Sequence, residues 1–267
     1  MTATGLERIA AAFAGSGKRA ALMPYMMGGY PDLEQSLAIA EASIEAGADL
    51  IELGVPFSDP LADGPMIHAA ATQALANGIK VDDVLALAAK LSHRVAIVLM
   101  SYANAVLTPG ADAFLARLQA AGIAGLIVPD LPYEEGEQIA AAALARGLAL
   151  VPLVAPTTTD ARLELIGARA AGFLYVVSVT GTTGERTSGP ATLASLIDRA
   201  KQATNVPVAV GFGISSPAQA RAAVDAGADG VIIGSRLVRA AGDPGGGAAE
   251  VGRLVSEFAS ALAATVA

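Results

Sequence analysis

The feature that most constrains the fold is a unit that recurs along the chain. An alanine-rich amphipathic stretch ends in a glycine turn, and a short run of apolar, often β-branched residues follows. A glycine there can adopt the left-handed conformation that ends many helices, and a run that is apolar throughout is typical of a strand covered on both faces. The unit is visible at 45–54, 120–130, 145–154, 168–178 and 225–235.

The same pattern, followed through every apolar run, predicts eight strands separated by helices. They lie near 21–27, 49–53, 95–101, 125–129, 148–153, 173–178, 207–211 and 230–234. Eight alternations without a linker predict an α/β protein with one domain over 1–267, a closed (β/α)₈ TIM barrel. It carries an extra N-terminal helix and an extra helix near 65–77, after strand 2. A doubly wound open sheet is the alternative, and the strand count and chain length favour the barrel.

Composition excludes several classes of protein. With 54% hydrophobic and 16% charged residues, the chain is too apolar to be disordered, and the absence of cysteine excludes disulfides and thiolate metal sites. The net charge of −8, without a basic stripe, argues against a nucleic-acid binder. The uncharged run 95–111 is shorter than the about 20 residues of a membrane span, and the N-terminus lacks the features of a signal peptide. We expect a soluble, cytoplasmic protein.

Two carboxyl groups are the candidates for chemistry, because barrel active sites lie at the C-terminal ends of the strands. Glu52 lies near the end of the second strand, where alternation points it into the barrel mouth. An equally good interpretation is a structural glutamate that hydrogen-bonds a neighbouring loop. Asp63 follows in an Asp-Gly-Pro turn, which usually does no more than start a helix. Together, two carboxyls in different environments can take separate proton-transfer and charge-stabilising roles.

Glycine-rich turns form the second group of candidates. They follow the last two strands, at 211–216 and 232–236, and a third follows strand six at 181–186. Backbone N–H groups ahead of a helix suit a phosphate dianion, and barrel phosphate sites are commonly built after strands seven and eight. Ordinary turns are the simpler interpretation of any one of them. Two on adjacent strands predict a phosphate site.

Other cofactor chemistry is disfavoured by elimination. None of the four lysines lies at the C-terminal end of a predicted strand, where a Schiff-base aldolase needs one. His68 and His93 lie far apart in or beside predicted helices, so without cysteine we expect no metal site. Of the enzyme classes considered, these observations favour one that needs no cofactor and performs acid–base chemistry on a phosphorylated substrate.

The segment IELGVPFSDPLADGP (51–65) resembles the signature of the tryptophan synthase α subunit family. Further matches follow in the family's order at 24–32, 100–106, 128–132, 210–217 and 232–236. The resemblance implies a (β/α)₈ lyase of tryptophan biosynthesis that cleaves indole-3-glycerol phosphate to indole and glyceraldehyde 3-phosphate. Two alternatives stay open. One is another phosphate-binding barrel lyase or isomerase, and the other is a non-catalytic partner that only activates the β subunit.

The resemblance also implies site residues. Glu52 matches the catalytic acid and base, and Asp63 the aspartate that accepts the indole N–H. Positions that match the indole pocket are Tyr25, Met100, Tyr102, Ile127 and Tyr175. Positions that match the phosphate site are Thr183, Gly184, Gly213, Gly234 and Ser235. For Met100 and Ile127 alone, core packing is the better interpretation.

One segment departs from the family pattern. The family's loop after strand six usually has Val-Thr-Gly followed soon by Arg, whereas this loop reads SVTGTTGERT, with Thr182 in the place of the Val and a Val-Thr-Gly three residues earlier at 179–181. A shifted register of Thr183 and Gly184 is therefore an alternative. In the family this loop is a mobile lid, and we expect 181–189 to order over a bound ligand.

A partner follows from the resemblance as well. The family works as an α₂β₂ complex in which the β subunit, not the α chain, carries pyridoxal phosphate. The loop at 55–61 places Phe57, Pro60 and Leu61 at the barrel mouth, where exposed apolar residues suit a contact. Asp59 and Pro60 match positions through which the subunits communicate.

Overall fold

The strands form one parallel sheet that curls into a barrel. The computed structural model describes residues 3–177, 190–211 and 213–264. The strands are β1 (Ala21–Met27), β2 (Leu50–Gly54), β3 (Ala96–Met100), β4 (Gly125–Ile127), β5 (Ala149–Leu150), β6 (Leu153–Val154), β7 (Leu174–Val177), β8 (Val208–Gly211) and β9 (Gly230–Ile233). Their order in the sheet is β5-β4-β3-β2-β1-β9-β8-β7-β6.

Helices follow the strands as the repeated unit predicts. They are α1 (Gly5–Ala14), α2 (Leu33–Glu45), α3 (Pro65–Ala76), α4 (Val81–Leu91), α5 (Ala103–Leu107), α6 (Ala111–Ala120), α7 (Glu137–Ala145), α8 (Asp160–Ala168), α9 (Pro190–Ala203), α10 (Pro217–Asp225), α11 (Ser235–Gly242) and α12 (Ala248–Ala261). The extra helices before strand one and after strand two are therefore confirmed. Within the described ranges, no helix is both long enough and apolar enough to cross a membrane.

The single strand predicted at 148–153 is wrong in detail, because it forms as β5 and β6. Pro152 interrupts it, since proline has no N–H to donate to a neighbouring strand. The chain still crosses the sheet there: the Val151 N–H donates to the Leu126 carbonyl at 2.9 Å, and the Pro152 carbonyl accepts from the Tyr175 N–H at 3.0 Å. This segment pairs with β4 on one side and β7 on the other, which closes the barrel.

The turn glycines explain why helix and strand alternate so regularly. In each of the five repeated units the glycine after the helix has a positive φ, between 70° and 102°, at Gly47, Gly122, Gly147, Gly172 and Gly227. Only glycine adopts that conformation without a Cβ clash, so each helix ends there and the chain turns back into the next strand.

Strand alternation sorts the core into two layers. One set of side chains, which includes Leu22, Ile51 and Leu99, packs against the helices. The alternate set, which includes Leu50 and Val98, fills the barrel interior. At the N-terminal end, Ile9 of α1 is fully buried in the inner layer. The opposite end, where the βα loops lie, is left to form a site.

Candidate active site

Glu52 lies inside the barrel at the end of β2, as its alternation with Leu50 predicts. It pairs in register with Tyr25 of β1 and Val98 of β3, and only 4% of it is exposed. Among the described residues, no donor reaches the buried oxygen Oε2. Burial, with a smaller effect from the charge of Asp63, raises the pKa of Glu52 from 4.5 to about 8. The carboxyl is therefore mostly protonated at neutral pH and can act as an acid.

Asp63 sits in a more polar environment on the loop after β2. It is half-buried, and it directly precedes Gly64, the N-cap of α3. Burial raises its pKa, while a hydrogen bond with Tyr102 and the nearby His68 oppose that rise. Asp63 thus keeps hydrogen-bonding and charged partners for its ionised form, whereas the buried Oε2 of Glu52 has none in the part of the chain that the structure describes. The two carboxyls differ in the way that separate acid and charge-stabilising roles require.

Tyr102 holds the Asp63 loop in place. Its hydroxyl accepts a hydrogen bond from the Ala62 N–H at 3.2 Å, and it hydrogen-bonds the Asp63 carboxylate. The phenol ring stacks on Phe57, with ring centroids 5.0 Å apart and an interplanar angle of 18°. Tyr102 therefore supports the loop that carries Asp63, and its position in the indole pocket stays a prediction.

A cavity opens between the two carboxyls at the C-terminal ends of the strands. Six other predicted residues line it with Glu52 and Asp63: Tyr25, Met100, Tyr175, Gly213, Gly234 and Ser235. Ile127 does not line it, because it is fully buried in the inner layer, paired in register with Met100. Core packing, the alternative given for Ile127, is what the structure shows. Thr183 and Gly184 lie outside the described residues.

Sequence reasoning missed part of the cavity wall. The additional lining residues are Gly64, Ile67, Ile214, Ser215, Ile232 and Arg236. Strand alternation points to Ile232, which lies on the inner face of β9. The wall position of Arg236 has no comparable signal in the sequence, since one arginine after a glycine–serine pair reads as an exposed helix residue.

Glycines at the strand ends leave room for the two tyrosines of the wall. A Cβ at Gly54 would collide with the hydroxyl of Tyr25, and one at Gly211 with the hydroxyl of Tyr175. Burial strongly raises the pKa of both phenols, so they stay neutral beside Glu52. The two rings form fixed apolar walls that flank the carboxyl.

The two glycine-rich turns present different helix ends to the cavity. At α10, Ser216 caps the helix and the Gln219 Oε1 accepts from the Ser215 and Ser216 N–H groups at 2.8 and 3.1 Å. At α11, Gly234 is the N-cap and provides no side-chain hydrogen bond. The uncapped helix end that can bind an anion is therefore that of α11.

The loop expected to contact a partner is only partly exposed. Leu61 is 82% exposed and Asp59 is exposed, whereas Pro60 is half-buried. Phe57, expected to be exposed, is also half-buried, because its ring packs on Tyr102. The exposed apolar surface of this loop is centred on Leu61.

A second cleft lies between the loop after β4 and α8, and it contains neither candidate carboxyl. Tyr133, Arg162 and Arg169 line part of it. Arg162 pairs with Glu134 through two hydrogen bonds, of 2.6 and 2.9 Å, and Arg169 lies 4.4 Å from the centre of the Tyr133 ring. Because the charged side chains of this cleft already have partners within it, the first cavity is the candidate active site.

The raised pKa of Glu52 predicts how stability depends on pH. Between its ordinary value of 4.5 and about 8, the folded protein holds a proton that the unfolded chain has released. The stability that Glu52 contributes is thus fully present below 4.5 and is lost as pH rises through about 8. We expect the Glu52→Gln variant, which cannot titrate there, to become more stable relative to wild type as pH rises. Urea unfolding at pH 5, 7 and 8.5 measures this, and parallel pH curves for the two proteins would contradict the assignment.

The fold and the cavity define the class: a β/α barrel with two carboxyl groups in a cavity at the C-terminal ends of its strands. Comparison with known proteins narrows the class. The family model described as tryptophan synthase alpha chain matches residues 12–266. The tryptophan synthase alpha chain of Carboxydothermus hydrogenoformans is 52% identical over 237 residues, which cover 87% of this chain and 88% of that protein. The chain therefore belongs to the tryptophan synthase alpha chain family, a family of lyases, and the resemblance found in the sequence is confirmed.

Solved structures agree with this membership. A structure of Mycobacterium tuberculosis tryptophan synthase is similar at a TM-score of 0.88 and 39% identity, covering 98% of this chain and 100% of that one. A structure of the tryptophan synthase complex from Pyrococcus furiosus has a TM-score of 0.82 and 36% identity, with 91% of this chain and 98% of that one covered. The likeness extends over nearly the whole barrel.

Proposed function

We propose that the cavity cleaves indole-3-glycerol phosphate to indole and glyceraldehyde 3-phosphate, with Glu52 and Asp63 as the catalytic residues. The observation that carries the proposal is the pair of carboxyls that one βα connection brings to one cavity in different environments. Family membership supplies the reaction, and the cavity supplies groups that suit it.

The first step needs an acid. Protonated Glu52 donates its proton to the indole ring carbon that carries the glycerol chain, which leaves a positive charge on the ring. Asp63 accepts a hydrogen bond from the indole N–H, and its negative charge stabilises that cation. The raised pKa of Glu52 keeps its proton available at neutral pH.

The second step needs a base at the same place. The Glu52 carboxylate takes the proton of the hydroxyl on the adjacent glycerol carbon. The carbon–carbon bond breaks, its electron pair restores the aromatic indole, and the hydroxyl carbon becomes the aldehyde of glyceraldehyde 3-phosphate. Glu52 ends protonated, as it began. These steps need only proton transfer and charge stabilisation, so we propose that the chain uses no metal or cofactor of its own.

The proposal is tested by assaying indole release from indole-3-glycerol phosphate, with and without a tryptophan synthase β subunit. We expect release by the chain alone and faster release with the β subunit. Another barrel lyase or isomerase would release no indole. A non-catalytic partner would activate the β subunit yet release no indole from this substrate.

We also propose an α₂β₂ complex with a β subunit that carries pyridoxal phosphate, in the cytoplasm. The exposed Leu61, with Asp59, Pro60 and the edge of Phe57, is the contact surface in this proposal. The relative from Pyrococcus furiosus was solved as a tryptophan synthase complex, which supports a partner of this kind. Through its stacking on Tyr102, Phe57 connects this surface to the Asp63 loop.

Tyr102→Phe tests whether Tyr102 positions Asp63. The change removes the hydroxyl that the Ala62 N–H and the Asp63 carboxylate share. Losing a hydrogen bond that lowers the pKa of Asp63 raises that pKa, so the acidic limb of the kcat/KM profile shifts to higher pH. We expect about a tenfold lower rate at neutral pH, the effect of one hydrogen bond to a charged group.

The matched control for this variant is Tyr133→Phe, which removes the same group from the second cleft. It should leave both the rate and the pH profile unchanged. A lower rate for Tyr102→Phe without any shift of the acidic limb would mean that Tyr102 is merely structural.

A further inference from the structure

Arg236 is a charged residue of the cavity wall to which the proposed chemistry gives no role. It lines the same cavity as Glu52 and Asp63. Among the lining residues that the structure describes, Arg236 is the only one with a positively charged side chain, and Asp63 contributes a negative charge. A dianion in this cavity would be repelled by Asp63, and the guanidinium of Arg236 can offset that repulsion.

The position of Arg236 on its helix is unfavourable for a cation in the absence of a ligand. It is the second residue of α11, so it lies at the positive end of the helix dipole. The nearby Glu250 does not explain it, since Arg253 holds that carboxylate through bonds of 2.7 and 2.6 Å. Arg253 has a larger part than Arg236 in lowering the pKa of Glu250. Within the described ranges, no carboxylate lies within 4.0 Å of the Arg236 guanidinium.

The backbone next to Arg236 offers donors to the same place. In the first turn of α11, the Leu237 and Val238 N–H groups donate to the Gly234 carbonyl, and Gly234, the N-cap, has no side chain that could cap the turn. The N–H groups of Ser235 and Arg236 are left to point outward from the helix end. An anion at the helix end would thus meet backbone donors beside a residue whose guanidinium can also donate to it, and the two together suit phosphate.

A second observation, at Glu52, independently indicates that this cavity binds a ligand. Only 4% of Glu52 is exposed, and no donor among the described residues reaches its Oε2. A buried polar oxygen without a partner is rare in folded proteins and costs free energy. A ligand that spans the cavity would satisfy this oxygen at one end and present its anionic group to α11 at the other.

We propose that Arg236 contacts the substrate's phosphate and sets the preference of the cavity for a phosphorylated over an uncharged glycerol chain. The inference rests on the proposed function, because it takes indole-3-glycerol phosphate as the substrate. Arg236 does not touch the bond that breaks. Its loss weakens binding of the ground state and the transition state alike, which raises KM and leaves kcat nearly unchanged.

The test compares Arg236→Gln with Arg239→Gln in the complete chain. Both changes remove one positive charge from α11, but Arg239 is exposed and does not line the cavity. For Arg236→Gln we expect kcat/KM for indole-3-glycerol phosphate to fall about 10- to 100-fold, through KM, the range for a hydrogen bond to a charged group. The rate with the dephosphorylated analogue indole-3-glycerol should stay the same, and Arg239→Gln should match wild type on both substrates.

Calorimetry with sn-glycerol 3-phosphate separates the two proposals, because it measures anion binding without the reaction. We expect weaker binding by Arg236→Gln at low salt, and a smaller dependence of its affinity on ionic strength than in wild type. Arg236→Lys should recover part of the affinity. Equal affinities of Arg236→Gln and Arg239→Gln, or equal losses on both indole substrates, would overturn the role of Arg236. A wild-type chain that binds the phosphate ester but releases no indole would instead overturn the proposed function.

Discussion

Glu52→Gln is expected to slow indole release by ~10²–10⁴-fold, the usual contribution of a positioned proton-transfer group. The amide keeps the size of the side chain but can neither donate the acidic proton nor accept the hydroxyl proton, so both steps lose their catalyst. Folding should survive, because the wild-type side chain is already mostly neutral at pH 7 and no buried charge loses a partner. Steady-state indole release at pH 7 measures the effect.

The control for Glu52→Gln is Glu45→Gln, which makes the same change at an exposed glutamate at the end of α2. It should release indole at the wild-type rate. Substrate affinity, measured by calorimetry, should be similar for wild type and both variants. Turnover by Glu52→Gln within about tenfold of wild type would remove Glu52 from the mechanism, since one lost proton-transfer group costs more than that.

Asp63→Asn is expected to cause a loss of similar size, ~10²–10⁴-fold, for a different reason. The asparagine can still accept the indole N–H, but it has no negative charge to stabilise the protonated ring. The pH dependence should therefore lose its acidic limb, because the group that must ionise is gone. The fall at high pH from Glu52 should remain but move to somewhat lower pH, because the charge of Asp63 no longer helps to raise the pKa of Glu52. Indole release between pH 5 and 9 measures both features.

Asp59→Asn is the matched control for Asp63→Asn, because it changes an exposed aspartate four residues earlier in the same loop. The isolated chain should keep its rate after this change. Only the stimulation by a β subunit should fall, since Asp59 belongs to the proposed contact surface. An isolated Asp63→Asn chain with wild-type turnover would show that the charge of Asp63 is dispensable.

Most of the barrel could be predicted because its determinants are local. A glycine such as Gly47 ends a helix by its backbone alone, and a run that is apolar throughout indicates a strand wherever it lies in the chain. The inward direction of Glu52 follows from strand alternation. The division of one predicted strand at Pro152 is also local, since the missing N–H interrupts pairing, but its exact extent depends on both neighbouring strands.

The composition of the cavity wall was harder to predict, because it depends on paths of loops that meet only in the fold. Tyr102 follows β3 and Ile127 is the last residue of β4, yet Tyr102 hydrogen-bonds the Asp63 loop and Ile127 is fully buried. Phe57 is half-buried because its ring stacks on that of Tyr102. The two residues are far apart in the chain, so the sequence alone does not show this contact. Arg236 reaches the wall because α11 starts at the barrel mouth.

In the proposed mechanism, Glu52 and Asp63 act on one bound molecule whose phosphate lies at the start of α11. A crystal structure of the Asp63→Asn variant with indole-3-glycerol phosphate tests it most directly, because the variant binds the substrate without consuming it. We expect the Glu52 carboxyl within hydrogen-bonding distance of the glycerol hydroxyl, the side chain at position 63 at the indole nitrogen, and the phosphate on the N–H groups of Ser235 and Arg236. A complex in which the substrate binds elsewhere, or in which either side chain faces solvent, would contradict the claim.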